Sequence, residues 1–359
     1  MNPWPATDFT RRLGLRLPVV QGPFGGGLSS VELTAAVSEA GGLGSFGAHH
    51  LDAAAIRDTA AAIRQRTGRP FALNLWIPHE QSDAPPLDDQ GFDGYLATLA
   101  PYFQELGVAL PTRPARFMPP YQEQVEALLA VRPAVFSFVF GIPAPEILQR
   151  CRELEITTVG AATTVDEACA LEQAGVDMVV ATGFEAGGHR VSFLRRAEDS
   201  LTGTFALIPQ VADAVHCPVI AAGGIADGRG VAAALTLGAA AAQIGTAFLA
   251  CRESNASALH RERLFSPDAR HTGLTRAFSG RLARSIRNRL MEEVKQSAPY
   301  PIQNWLTARL RPAATEQGRA DLMSLWAGQA APLLRHRDAA TLLAALQQET
   351  LAALGRFGR

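Results

Sequence analysis

The chain has 359 residues, 47% hydrophobic and 19% charged, the balance of a globular enzyme with one large domain and an added lobe. A formal net charge of -1 and a pI near 6.7 exclude the basic footprint of a nucleic-acid binder. Cys151, Cys169, Cys217 and Cys251 share no zinc or redox spacing and read as small buried residues of a reducing compartment. Met1 to Arg11 has no apolar signal core and no run is long enough to span a bilayer, so a cytoplasmic protein is expected.

In chain order, Leu17 to Gln21 is a short apolar strand that runs into the turn residues Gly22-Pro23 and the glycine-rich loop Phe24 to Leu28. Ser29 or Ser30 can cap a helix from Val31 to Ala40, stopped by Gly41-Gly42. Leu43 to Gly47 is a second strand, Asp52 opens a helix to Arg66, and Phe71 to Ile77 is a third strand. His79 to Pro120 is a long connection, rich in Pro, Asp and Gln, with a helical patch near Tyr95 to Leu106. A helix from Tyr121 to Val131 leads to strand four, Ala134 to Gly141, and Pro145 opens the next helix. Ile156 to Ala162 is strand five, followed by a helix capped by Thr164; Asp177 to Thr182 is strand six. A helix from Phe205 to Val215, strand seven from Pro218, a helix from Gly230 to Leu237 and strand eight from Ala241 to Phe248 complete the series.

Eight strands alternating with helices over roughly 250 residues predict a TIM (β/α)8 barrel, an α/β fold. A doubly wound sheet is the alternative, but Gly22-x-x-Gly25-Gly26-Gly27 lacks the dinucleotide spacing. The barrel is expected over 10–250, a helical insertion above its mouth over 251–323, and C-terminal helices packing back on it over 324–359.

Ligands bind at the C-terminal strand ends of such a barrel. Ala222-Gly223-Gly224-Ile225 and Gln243-Ile244-Gly245-Thr246 end strands seven and eight, where glycine N–H groups, a helix N-terminus and the Thr246 hydroxyl suit a phosphate. The bland alternative is two turns that only close the barrel. Asn74 ends strand three; its amide either meets the pyrimidine edge of a flavin or caps its own loop. After strand six comes Gly183-Phe184-Glu185-Ala186-Gly187-Gly188-His189-Arg190, from which a histidine and an arginine emerge. His189 either moves a proton or pins the loop. His49 and His50 follow strand two and can reach the same mouth. Tyr300, Trp305 and the connection after strand three are candidate pocket walls.

Glu185 to Arg190, the run from Ala221 to Gly230, Gln243 to Thr246, Gln21 to Phe24, Ala40 to Gly44 and Ser324 to Gln329 together resemble the nitronate monooxygenase family, over nearly the whole chain. The resemblance implies an FMN enzyme on a TIM barrel. It implies flavin contacts at Gly22, Pro23, Phe24, Asn74, Thr182, Gly187, Gly224, Gln243, Gly245 and Thr246, and a catalytic base at His189. Such enzymes oxidise alkyl nitronates, propionate 3-nitronate among them, with O2 to a carbonyl compound and nitrite. The sequence departs from the family pattern at Thr182 (often glutamine), Phe24 (often methionine), Val139 (often a second histidine) and Val191 (usually glycine), which bears on substrate more than on flavin. The rival is an FMN- and NAD(P)H-dependent enoyl-acyl-carrier-protein or quinone reductase of the same superfamily. An IMP-dehydrogenase-like barrel needs a catalytic cysteine, and Cys251 lacks its loop context. The partners expected are a small-molecule substrate and O2, with no metal, nucleic acid or membrane; the sequence leaves the oligomeric state open, a homodimer included.

Overall fold

The computed structural model describes residue 4 and residues 6–78 and 88–355; His79 and the stretch to 87 lie outside the described residues. Eight strands run parallel around a barrel: β1 (Val19–Gln21), β2 (Gly44–Gly47), β3 (Phe71–Trp76), β4 (Val135–Val139), β5 (Thr157–Ala162), β6 (Met178–Thr182), then, after the two-residue β7 (Gly188–His189), β8 (Val219–Ala222) and β9 (Ala241–Ile244). Their spatial order is β1-β9-β8-β6-β5-β4-β3-β2, and a parallel bridge from Val20 to Leu43 closes the ring, with the Gln21 N–H donating to Leu43 O at 2.9 Å. The strands are covered on both faces, which is why they read as unbroken apolar runs rather than alternating ones. The seventh and eighth strands of the sequence reading are β8 and β9.

The barrel floor is an element the periodicity did not suggest. Thr7 and Thr10 form a reciprocal cap on a short helix, Asp8–Leu13, and Gly14 ends it at φ 63°. Its Phe9 and Leu13 plug the barrel against the strand starts at Leu43, Val135, Met178 and Ala241. That leaves the opposite end, where the glycine loops cluster, as the open one.

One open choice is resolved and two expected boundaries move. Ser30 caps the first barrel helix (its Oγ accepts from the Leu33 N–H at 2.9 Å), while Ser29 ties the Phe24 loop to the Gly47 N–H. The eighth strand stops at Ile244, and Thr246–Leu249 turns into helix. The connection after β3 carries a helix from Asp89 to Glu105, longer than its composition suggested and capped by Asp88.

The expected insertion, 251–323, is not purely helical. It contains an antiparallel pair, β10 (Thr272–Thr275) and β11 (Ala283–Ile286), and β7 joins β11 as a third strand, pairing His189 with Ala283. With the helix Asp89–Glu105 and the helix Ile302–Glu316 these strands enclose a second apolar core around Phe92, Phe103, Leu290, Leu306 and Leu310. Trp305 belongs to this lobe: it packs on Phe92 and Phe117, with the Arg309 guanidinium 3.1 Å above its ring. The helix Ala339–Gly355 returns to the barrel wall, where Thr350 donates to Gly228 O at 3.1 Å and Glu349 accepts from the Gly228 N–H at 2.9 Å.

Candidate active site

One cavity of about 1330 Å³, its open mouth included, occupies the C-terminal end of the barrel beneath the lobe. Gly22, Pro23, Phe24, Asn74, Thr182, Gly187, His189, Gly224, Gln243, Gly245 and Thr246 all line it. The C-terminal ends of five barrel strands, β1, β3, β6, β8 and β9, therefore converge on one space. Among its described lining residues there is no aspartate or glutamate.

At one end lie the ends of β8 and β9. Gly224 sits at φ 71°, in the left-handed region that favours glycine, and a Cβ there would come no closer than 3.5 Å to another group. A Cβ on Gly245 would meet only Phe24, at 4.0 Å, so the space in front of both backbones is open. The Thr246 hydroxyl accepts from the Gly328 N–H at 2.9 Å, which leaves its own proton for another acceptor. The N-terminus of the helix Gly228–Thr236 is already served: Asp227 accepts from the Arg229 and Gly230 N–H groups. An anion here would be met by the loop glycines and Thr246, without that helix end.

The side walls carry amides. Asn74 is buried and donates Nδ2–H to Ser137 Oγ at 3.0 Å across the β3–β4 register, so it does not cap its own loop. Its Oδ1 has no partner among the described residues. The Gln243 amide lines the cavity likewise without a partner there. Gln21, by contrast, is consumed inside the barrel, accepting from Ser45 N–H at 3.0 Å and donating to Gly22 O.

The opposite end is aromatic. His189 lies edge-on to Trp76 with ring centres 5.0 Å apart, and Trp326 and Phe140 lie at 5.4 and 6.2 Å. Its Nε2 is 2.8 Å from Ser279 Oγ. Two tautomers satisfy this contact: when Ser279 gives its proton to Arg281 O, its oxygen accepts Nε2–H and Nδ1 keeps the lone pair, and when Ser279 donates to Nε2, the ring's proton sits on Nδ1. Burial, and then the nearby Arg281 guanidinium, push the His189 imidazolium down to about 3, so the ring is neutral at physiological pH. The Arg281 guanidinium itself is stacked between Phe140 at 3.9 Å and Tyr300 at 4.1 Å.

Arg190 does not enter the cavity. It is the largest fully buried side chain, turned back to donate to the Gly183, Thr182 and Ser200 carbonyls. Glu185 is structural too, its carboxylate accepting from the Thr204 N–H and hydroxyl. Gly187 is glycine because a Cβ would strike Gly328 N at 2.6 Å.

Comparison with known proteins shows the family. A family model described as nitronate monooxygenase matches residues 8–349. A probable nitronate monooxygenase of Staphylococcus aureus is 39% identical over 345 residues, 95% of this chain and 96% of that one. The chain belongs to the nitronate monooxygenase family. It is an oxidoreductase of TIM-barrel fold. Among solved structures, a nitroalkane oxidase from Streptomyces ansochromogenes is 39% identical, with a TM-score of 0.88 over 97% of this chain and 99% of that one. FabK from Thermotoga maritima is 27% identical, with a TM-score of 0.77 over 99% of each chain.

Ser279 and Arg281 were missed by sequence reasoning: they come from the lobe, 90 or more residues from His189, and no local spacing signals them. Trp326 and Gly328 lie in the Ser324 to Gln329 run that carried the family resemblance, but were not read as site residues. Trp76 could have been found, since it follows Asn74 by two and so shares its strand face. Of the expected pocket walls, Tyr300 belongs to the aromatic end, its ring centre 5.5 Å from that of Trp76 and its face under Arg281, and Trp305 belongs to the lobe core. Cys251 is fully buried, its thiol pushed up by burial and donating to Ala247 O, and does not line the cavity. Among the described residues no group of His, Cys, Asp and Glu could hold a metal, and no helix is long and apolar enough to cross a membrane.

Proposed function

We propose that this chain uses bound FMN and O2 to oxidise small alkyl nitronates, propionate 3-nitronate among them, to a carbonyl compound and nitrite. The observation that carries the proposal is a cavity lined without a carboxylate, with a glycine and threonine anion cradle at one end and a neutral imidazole at the other. Both FMN phosphate and nitronate are anions, and a lining free of carboxylates repels neither.

The residues fit FMN. Gly224, Gly245 and Thr246 would hold the phosphate; the partnerless faces of Asn74 and Gln243 would meet the pyrimidine edge; Gly22, Pro23, Phe24, Thr182 and Gly187 would bound the ring. The chemistry that FMN supplies when bound is acceptance of electrons from substrate and their passage to O2. His189 would hold a nitronate oxygen through Nδ1–H, in the tautomer in which Ser279 Oγ donates to Nε2. With its imidazolium at about 3 it is a weak base, so the site suits a substrate that arrives as an anion better than a neutral nitroalkane awaiting deprotonation. The lobe over 251–323 would cover the mouth and keep bulk water from the reacting atoms.

The likeness to FabK keeps a pyridine-nucleotide-dependent reductase as the second reading. The purified protein is expected to be yellow, and to take up O2 and release nitrite with ethylnitronate and propionate 3-nitronate. His189→Asn is expected to lower that turnover at least 100-fold while keeping its flavin. A colourless protein unable to bind FMN would overturn the proposal. So would anaerobic bleaching of the flavin by NAD(P)H with no nitronate turnover, which would instead establish the reductase.

A further inference from the structure

A second histidine faces the same cavity. His49 follows β2 and is 3% exposed. Its backbone is fixed by Gln124 Nε2, which donates to His49 O at 2.8 Å. Its ring lies flat on Trp76, centres 3.8 Å apart and planes 4° from parallel. Gly25 is what admits it, since a Cβ there would stand 3.0 Å from His49 Cε1. Neither ring nitrogen has a hydrogen-bond partner among the described residues, and Nδ1 is sealed from solvent. Burial holds the ring neutral, so it carries one N–H donor and one lone pair. Leaving both unmet is unfavourable, and buried polar groups without partners in a native fold call for an explanation. Another buried histidine of this molecule shows the usual solution: His260, 2% exposed, places Nε2 3.1 Å from Trp326 O.

Ring contacts, not strand order, say which end of the cavity His49 serves: β2 stands only two strands from β9 around the closed barrel, but the His49 side chain is turned to Trp76, the residue that also packs on His189. Trp76 is stacked on His49 and stands at 74° to His189 with ring centres 5.0 Å apart, so the two imidazoles share one indole at the aromatic end. The geometry points to His49 as a second substrate-holding imidazole: with His189 it grips a small planar oxyanion, the nitronate group, through its two oxygens. The inference rests on the nitronate reading for the identity of the anion. The hydrogen bond to an ionised oxygen is of the charge-assisted kind, and it requires no covalent step.

The test uses the flavin-loaded full chain and sodium nitrate, a flat, unreactive oxyanion, titrated calorimetrically. His49→Phe keeps a flat ring on Trp76 and removes both nitrogens; His49→Asn retains an N–H. We expect nitrate affinity to fall tenfold or more in His49→Phe and to recover in part in His49→Asn. KM for ethylnitronate should rise in parallel, with kcat changing less and flavin content unchanged. If Phe does not fold in this packing, His49→Ala removes the same nitrogens and is read in the same way. Unchanged nitrate affinity in the nitrogen-free variant, loss of flavin in place of nitrate binding, or no nitrate binding by the parent protein would each overturn the assignment. Nitrate binding that depends on His49 without any nitronate turnover would uphold the oxyanion grip and defeat the proposed reaction, so the two ideas fail separately.

Discussion

At the scale of single residues, the glycines of this chain do two different jobs, and only one concerns a ligand. Gly183, Gly187 and Gly44 are small because protein backbone or side chains crowd them: a Cβ on Gly44 would lie 1.9 Å from Thr34 O. Gly245 is small with nothing in front of it but the cavity, at an ordinary φ of -96°. This difference gives a sharp test of the cofactor. Gly245→Val should leave the unfolding free energy of the flavin-free protein within about 0.5 kcal/mol, as for a substitution that meets no protein atom. It should weaken FMN binding tenfold or more, because the side chain fills the cradle. Flavin-fluorescence titration and urea unfolding read the two effects separately. A variant that binds FMN as tightly as its parent would remove the phosphate from this loop. The family resemblance implied Gly187 and Gly245 alike as flavin contacts. It could not separate them, since the atom that crowds Gly187 belongs to Gly328, far away in the chain.

Among the elements, the loop from Gly183 to Arg190 is held from inside and from above. From inside, Arg190 spreads its guanidinium over three carbonyls, at 2.7 Å to Gly183 and 3.1 Å to Thr182 and Ser200. From above, Arg284 of β11 donates to Phe184 O at 3.0 and 2.9 Å, and β7 joins β11 as a ladder. His189 is thus a strand residue of the lobe's sheet, positioned by chain about 95 residues further on, and is not a side chain on a free loop. Arg190→Met would remove its charge from three carbonyls, of which Gly183 O would keep the Ala186 N–H. Hydrogen bonds to charged groups contribute about 1.5–3 kcal/mol each, and they do not add fully. The expected loss is about 3 kcal/mol or more in urea unfolding. Arg190→Lys should recover little of it, because an ammonium cannot reproduce a planar fork. A loss under 1 kcal/mol would show that water replaces the arginine. The barrel was legible because each strand buries both faces and each helix carries its cap: Asp52 and Thr164 cap where the sequence placed them. The β10–β11 pair was not legible. Its strands are four residues long and rich in Thr, Gly, Arg and Ser, so neither an apolar run nor clean alternation marks them.

For the whole molecule, the same burial that builds the cavity sets a pH limit on the fold. His49, His50, His189 and His260 all have their imidazolium forms disfavoured, each chiefly by burial; His189 is pushed to about 3 and His260 to about 4. In the unfolded chain each returns to its ordinary value near 6.5. Between those limits the unfolded state binds more protons than the folded one, so stability is complete above about pH 6.5 and falls as pH drops through the window. Each such group contributes a slope of up to about 1.4 kcal/mol per pH unit. Carboxylates held low by arginine, such as Glu32 beside Arg66 and Glu126 beside Arg150, act with the same sign but near their own unfolded range, below about pH 5. The interval from about pH 6.5 to 5 therefore isolates the histidines. Urea unfolding across it should show a stability slope above one proton's worth. His260→Gln, which keeps a donor for Trp326 O, should flatten that slope by about one proton while leaving stability near pH 7.5 little changed. A parent slope near zero would mean that these rings charge in place, and that water penetrates the barrel mouth far enough to solvate them.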